Sequence, residues 1–537
     1  MLPPSKTTIS SGANAPPTSL PKPPKTNLRM LTPYLSRAAE LLTYDSSAPM
    51  LFNSGLFLVL FLLFLPLYYL LRKQTLARII YVVCFSLFFY YKSSGYYAII
   101  LIMTATVDFI IGHLIAAAPE RKVKRRWLTL SLCFNLGMLG YFKYTNFLLE
   151  LFTPLVQWFG GVAGLTEIST TQLGPLDIFL PVGISFFTFQ SLSYVIDIYR
   201  GEIRPLRRWV DYLFYVSFFP QLVAGPIVRA KDFIPQIYKP VWVTKKEFGE
   251  GLFLILSGLI KKAIISDYIS LNFVDRVFDA PTLYSGFENL MAIYGYALQI
   301  YCDFSGYSDM AIGIALWLGF RFNINFDSPY RSATITEFWR RWHISLSSWL
   351  RDYLYIPLGG SRRGRLRTYL NLLVTMLLGG LWHGASLRFI LWGGMHGVAL
   401  ALHKLYMQIC PWARPDGASM GRFRRYLGMF ITFHFVCFAW IFFRMPTMEG
   451  IGQMFEMIRY EFHPEIIPQF LEGYWLVVTL IVLGFVAHFV PQRAFRPLER
   501  SISRMPLVGQ ALLFALVVLL VVQFQSSGVQ PFIYFQF

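Results

Sequence analysis

Charge is what this sequence has least of. Only 14% of its 537 residues are Asp, Glu, Lys or Arg, too few to coat a water-soluble domain of that length. Cysteine is scarce too. Cys84, Cys133, Cys302, Cys410 and Cys437 are odd in number and form no CxxC pair, which argues against a disulfide framework and against a cysteine-based zinc site. Acids are the rarer charge, 29 against 48 Lys and Arg. No repeat of fixed period occurs, and the loops between apolar runs are mostly short. A large catalytic domain outside the membrane is therefore excluded.

What is present is apolar. Hydrophobic residues make up 55% of the chain and aromatics 18%. Repeated apolar runs are long enough to cross a bilayer, and Trp and Tyr suit its interfaces. The expected fold class is an all-α polytopic membrane protein. The net charge of +19 comes in short clusters between apolar segments. That distribution fits cytoplasmic loops facing anionic headgroups better than a nucleic-acid surface.

Residues 1–49 are expected to form a Pro-rich, disordered N-terminus. They carry no signal-peptide h-region, and a short amphipathic helix over 31–42 would lie on the membrane surface. Residues 50–537 form one membrane domain. Apolar runs over 50–71, 79–91, 96–118 and 127–152 come first. The basic cluster 120–126 marks a cytoplasmic loop. A loop is expected over 153–175. The runs 179–199 and 218–226 contain Pro and Gly, which predicts broken or re-entrant helices, tolerated only where protein or a water cavity satisfies the backbone. Further spans are read at 251–265, 289–320, 426–443, 474–490 and 507–525, and the aromatic end 532–537 suits an interfacial anchor. The total is about ten to thirteen membrane segments. Asp303 and Asp309 lie at membrane depth, where a carboxylate is costly. Pairing with an arginine of the next segment is their expected role.

The most chemical stretch is 339–397. If 339–353 is one helix, Trp339, Trp342, His343, Leu346, Trp349, Leu350 and Tyr353 share a face, and His343 points with the tryptophans. Thr334 or Thr336 caps the start, and Glu337 suits the helix dipole. The segment 321–367 is rich in arginine. Arg362–Arg367 read as a positive-inside loop. For Arg340 and Arg341 that reading and a phosphate-binding one stand level. His383 sits among Gly379, Gly380 and Gly384, where another backbone or a substrate approaches closely. A buried imidazole is neutral at pH 7 and is the usual general base for a hydroxyl. That is the chemistry of acyl transfer, in which a second polar group such as His343 steadies the base or the oxyanion. On composition alone a structural role is the stronger reading for any such histidine. His113, His396, His403, His434, His463 and His488 take it. A two-histidine metal site at His343 and His383 lacks a carboxylate or thiolate spaced to complete it, so no metal is expected.

At these residues the sequence resembles the membrane-bound O-acyltransferase (MBOAT) family, in its alginate O-acetylation and teichoic acid D-alanylation branch. The matching text is FWRRWHISLSSWLRDYLYIPLGG (338–360) and LLGGLWHGASLRFILWGGMHG (377–397). NLGMLGYFKY (135–144), LPVGISFFTFQSLSYVIDIYRGEI (180–203), FFPQLVAGPIVR (218–229) and YCDFSGYSDMAIGIALWLGF (301–320) support it. The resemblance implies a helical bundle around a central tunnel, with two family histidines at its constriction. Carried onto this chain they are His383, the first catalytic candidate, and His343, the second. Trp339, Arg340, Arg341, Trp342 and Trp382 are the substrate-binding candidates beside them. The resemblance also implies an inner-membrane O-acyltransferase with no bound cofactor. Acetyl-CoA would be the cytoplasmic donor and an exported polysaccharide such as alginate or cellulose the destination, reached directly or through a periplasmic acetyltransferase or a polysaccharide synthase complex. An acyl-group transporter and a non-catalytic scaffold of a secretion complex remain the alternatives.

Overall fold

The structure is a computed structural model in which the described residues are 36, 40–45, 49–162, 175–223, 225–410 and 421–524. Regular structure among them is helical throughout, without a strand. Chain contacts divide the protein into Met1–Thr43 and Tyr44–Phe537. In the first unit residues 40–42 are helical and exposed. The expectations for residues 1–28 and 532–537 lie outside the described residues.

The second unit opens with three helices that follow the first apolar runs: α1 (Gly55–Leu70), α2 (Thr75–Ser94) and α3 (Ala98–Ala117). The Ser54 hydroxyl accepts from the Phe57 amide and caps α1. Among the described residues four stretches are long and apolar enough to cross a bilayer: Gly55–Lys73, Thr75–Ala117, Arg422–Arg444 and Leu507–Phe524. A fifth results if Pro464–Gly473 and Trp475–Phe489, bent by 93°, count as one broken span. The chain is thus a multi-pass membrane protein. Its other helices are shorter or more polar.

Helix α4 (Arg121–Val162) is 42 residues long. The loop expected from residue 153 is helical as far as Val162. Leu148, Leu151, Phe152, Leu155, Trp158 and Phe159 continue the helical spacing, and Pro154 removes only one amide donor. Residues 163–174 lie outside the described residues. Asp108 of α3 accepts from Ser131 Oγ at 2.6 Å and from Asn135 Nδ2 at 2.9 Å, both on α4. This satisfies a buried carboxylate and ties the two helices together.

In the run 179–199, Pro181 and Gly183 lie ahead of the helix rather than inside it. Helix α5 (Ile184–Arg200) starts directly after Gly183. Helix α6 (Lys245–Leu259) begins with a Thr244–Glu247 capping box and continues into a π-helical turn, Ile260–Ser266. Helix α7 (Gly286–Trp317) holds Asp303 and Asp309. Their partners are lysines of the preceding π turn, not an arginine of the next segment. Lys262 Nζ is 2.5 Å from Asp303 and 2.7 Å from Asp267, and Lys261 Nζ is 2.6 Å from Asp309. The wider π turn lets two consecutive lysines reach the facing carboxylates.

The expected single helix over 339–353 is two helices, α8 (Ile335–Arg341) and α9 (Ile344–Leu350), followed by a π turn, Arg351–Tyr355. Helices α10 (Arg365–His383) and α11 (Leu387–Ile409) then form a close hairpin. A Cβ on Gly380 would overlap the Phe389 carbonyl, and one on Gly393 the Met376 carbonyl. Small residues at these positions let the backbones touch.

Candidate active site

His343 sits at the break between α8 and α9 and adopts a left-handed backbone, φ 42° and ψ 56°. Such a conformation costs a non-glycine residue roughly 1–2 kcal/mol, so something holds it. The holder is Asn325. Its carbonyl accepts from the Ile344 amide at 2.9 Å, and the Arg341 carbonyl accepts from the Asp327 amide at 3.0 Å. The two bonds bracket His343 on both sides. Asn325 Oδ1 accepts from the Ser345 amide at 3.2 Å and from Ser345 Oγ at 2.9 Å. His343 Nδ1 lies 3.2 Å from the same oxygen. A main-chain N–H fixes that atom as the acceptor, so His343 Nδ1 is the donor and Nε2 carries the lone pair. Burial pushes the imidazole down to about 3, so His343 is neutral at pH 7.

Despite the break, the buried face foreseen for this stretch is intact. Trp339, Trp342, His343, Leu346, Trp349, Leu350 and Tyr353 are all buried. Thr334 is the cap, accepting from the Glu337 amide at 3.1 Å.

His383 is the last residue of α10 and is 4% exposed. A helix leaves its final carbonyls without intrahelical donors. Here α4 supplies them. Lys143 Nζ donates to the Trp382 carbonyl at 2.6 Å and to the His383 carbonyl at 2.9 Å. Tyr144 Oη donates to the Leu381 carbonyl at 2.8 Å. Gly384 follows directly, and a Cβ there would overlap the Phe389 ring. The His383 imidazole is packed by Trp382, Trp392 and Phe443, with ring centroids 4.9, 5.1 and 5.3 Å away.

The two histidines meet across one indole. The Trp382 ring centroid is 6.4 Å from that of His343 and 4.9 Å from that of His383. From Trp382 an aromatic row leads away. Phe189 stacks on it at 5.2 Å, Trp349 stacks on Phe189 at 3.9 Å, and Tyr353 follows at 5.1 Å. The guanidinium groups of Arg200 and Arg229 lie over the Tyr353 ring at 5.1 and 5.5 Å.

The other candidates scatter. Trp342 is packed into the core against Phe326 and Trp440. Arg341 is committed to Asp327 and Glu337, each at 3.0 Å. Arg340 is exposed. Trp339 Nε1 donates to His396 Nδ1 at 3.3 Å. His396, foreseen as structural, does hold a tryptophan, yet it also packs on Trp392 at 4.8 Å, the same ring that touches His383. Sequence reasoning missed Asn325, Tyr144, Phe189 and the service Lys143 gives to α10. Lys143 had a usable signal, since a lone cation in an apolar run needs an explanation. Among the described residues no three His, Cys, Asp or Glu side chains converge as a metal site would require.

The fold and this centre define an integral membrane enzyme whose histidines are sealed inside a helical scaffold rather than carried on a soluble domain. A sequence profile of the membrane-bound O-acyltransferase family matches residues 208–445, which include both histidines. A probable alginate O-acetylase AlgI of Pseudomonas putida is 37% identical over 509 residues, covering 91% of this chain and all of that protein. A peptidoglycan O-acetyltransferase of Helicobacter pylori is 37% identical over 434 residues, 75% of this chain and 78% of that one. A teichoic acid D-alanyltransferase of Bacillus subtilis is 30% identical over 277 residues, 49% of this chain and 68% of that one. The chain belongs to the membrane-bound O-acyltransferase family and is an acyltransferase.

Proposed function

We propose that this enzyme moves an acetyl group from cytoplasmic acetyl-CoA, across the inner membrane, to an exported polysaccharide. Alginate is the acceptor suggested by the relatives' names, with cellulose a second candidate. Transfer is direct or passes through a periplasmic acetyltransferase partner, beside the synthase complex that makes the polymer. His383 is the general base. It takes the proton of an acceptor hydroxyl as that oxygen bonds to the thioester carbonyl carbon. The C–S bond then breaks, and the departing thiolate takes the proton.

One observation carries this reading: His343 and His383 lie buried on either side of the Trp382 ring, far from the basic start of the helix that carries His383. Helix α10 starts in the basic segment Arg362–Arg367, a cytoplasmic signal, and His383 lies eighteen residues after Arg365, about 27 Å along the axis. A base set that far from the basic end suits an acceptor arriving from the other side of the membrane. The aromatic row from Trp382 through Phe189 and Trp349 to Tyr353 suits a long donor arm; the arginines over Tyr353 are paired, Arg229 with Asp352 at 2.6 Å and Arg200 with Glu202 at 3.9 Å. His343, with Nδ1–H turned to Asn325, offers a lone pair at Nε2. It suits orienting the acceptor hydroxyl or relaying its proton, rather than donating to an oxyanion.

The test uses purified full-length protein in nanodiscs with labelled acetyl-CoA and an oligosaccharide acceptor. His383→Ala should lower acetyl transfer on the order of 10³-fold at normal protein level. His343→Ala should cost less. Unchanged transfer in His383→Ala would sink the reading of His383 as the base.

A further inference from the structure

We infer that Lys143 is a positioning residue for His383, seating the imidazole from behind through the backbone of α10; the inference rests on the reading of His383 as the base. Three observations converge. First, the amine donates to the carbonyls of Trp382 and His383, the two residues whose rings form the site, while its neighbour Tyr144 takes the carbonyl before them. Second, the same nitrogen lies 6.0 Å from the Trp382 ring centroid, so it sits beside the indole as well as on the main chain. Third, Lys143 makes no ion pair among the described residues.

A helix end needs no lysine. A glycine turn or a hydroxyl satisfies its carbonyls at lower cost, whereas burying an amine is expensive. A cation at a helix C-terminus does complement the dipole. Yet the residue directly after His383 is Gly384, and with no cap that junction would fray. A base that wanders by about 1 Å loses on the order of 10²-fold in rate. The amine ties the last turn of α10 to α4 through two hydrogen bonds.

Lys143→Met keeps an unbranched side chain one atom shorter and removes its donors. In the nanodisc assay with labelled acetyl-CoA, kcat should fall on the order of 10²-fold, with KM for acetyl-CoA unchanged within about twofold. Lys143→Arg, which can still donate to both carbonyls, should restore part of kcat. Wild-type kcat in Lys143→Met overturns the inference. So does a loss of kcat that merely follows a loss of folded protein, equal in Met and Arg variants. A second readout needs no turnover. Diethyl pyrocarbonate labelling of His383, followed by peptide mass spectrometry, should be faster in Lys143→Met than in wild type, and an equal rate overturns the inference. If instead His383→Ala retains full activity, the reading of His383 as the base falls, while faster labelling in Lys143→Met still reports that Lys143 seats it.

Discussion

His343 and His383 flank the same indole, but their seats are built on opposite plans. His343 is held by its own ring as well as its backbone. The Asn325 side chain accepts from Nδ1 and sets the tautomer, while the Asn325 carbonyl and the Asp327 amide bond the main chain on either side and set the backbone twist. Among the hydrogen bonds described here, those that fix His383 end on main-chain carbonyls, while aromatic faces surround the ring itself. The first plan fixes which nitrogen is basic. The second fixes where an imidazole stands, through the backbone that carries it and the rings that face it. A residue that only assists benefits from a fixed tautomer, whereas a base that must take and return a proton benefits from a fixed position.

The contrast can be attacked at each seat. The largest effect is expected from Gly384→Ala. Its new methyl overlaps the Phe389 ring, so either α11 or the end of α10 must move. Overpacking of this kind costs about 1–3 kcal/mol. The accompanying shift of His383 should lower kcat on the order of 10²-fold, read in the nanodisc assay alongside a thermal melt. Asn325→Ala comes next. It strips His343 of its acceptor and leaves the Ser345 amide unsatisfied, a penalty of about 1–3 kcal/mol. Turnover should fall about tenfold, corresponding to about 1.4 kcal/mol, and His383 labelling by diethyl pyrocarbonate should stay at the wild-type rate. Faster labelling would mean that the two seats are one unit and would break the comparison.

The smallest effect concerns pH. Burial lowers the His343 value from 6.5 to about 3, so in the window between them the unfolded chain binds a proton that the folded protein refuses. The contribution of His343 to stability is therefore whole above pH 6.5 and is lost as pH falls below it, by up to about 1.4 kcal/mol per unit. His343→Gln should flatten that slope in melts taken between pH 7 and pH 5.5. An unchanged slope would show that other groups carry it.

Much of this was legible from local pattern. Apolar runs gave α1, α2 and α3 to within a few residues, and the spacing of Trp339, Trp342, Trp349 and Tyr353 gave the buried face. Glycines beside His383 foretold close packing. The break at His343 was not legible, because a left-handed residue between two helix-favouring stretches is decided by Asn325, eighteen residues upstream and in no periodic pattern. The lysine partners of Asp303 and Asp309 were missed for a related reason. A π turn shifts the facing direction of every residue after it, and composition carries no trace of that shift. Arginine clusters invited a phosphate reading at Arg341, but acids at 327 and 337 had already claimed it.

Helix α4 has one more consequence, for how this gene can change. Lys143 and Tyr144 are adjacent, and they address consecutive carbonyls on α10. That match works at a single rotational setting of α4. Inserting or deleting one residue between Arg126 and Lys143 turns everything beyond it by about 100° and shifts it by about 1.5 Å, carrying both donors off the face that meets His383. The middle of this long helix is therefore a frame that tolerates substitution on its lipid side but no change in length.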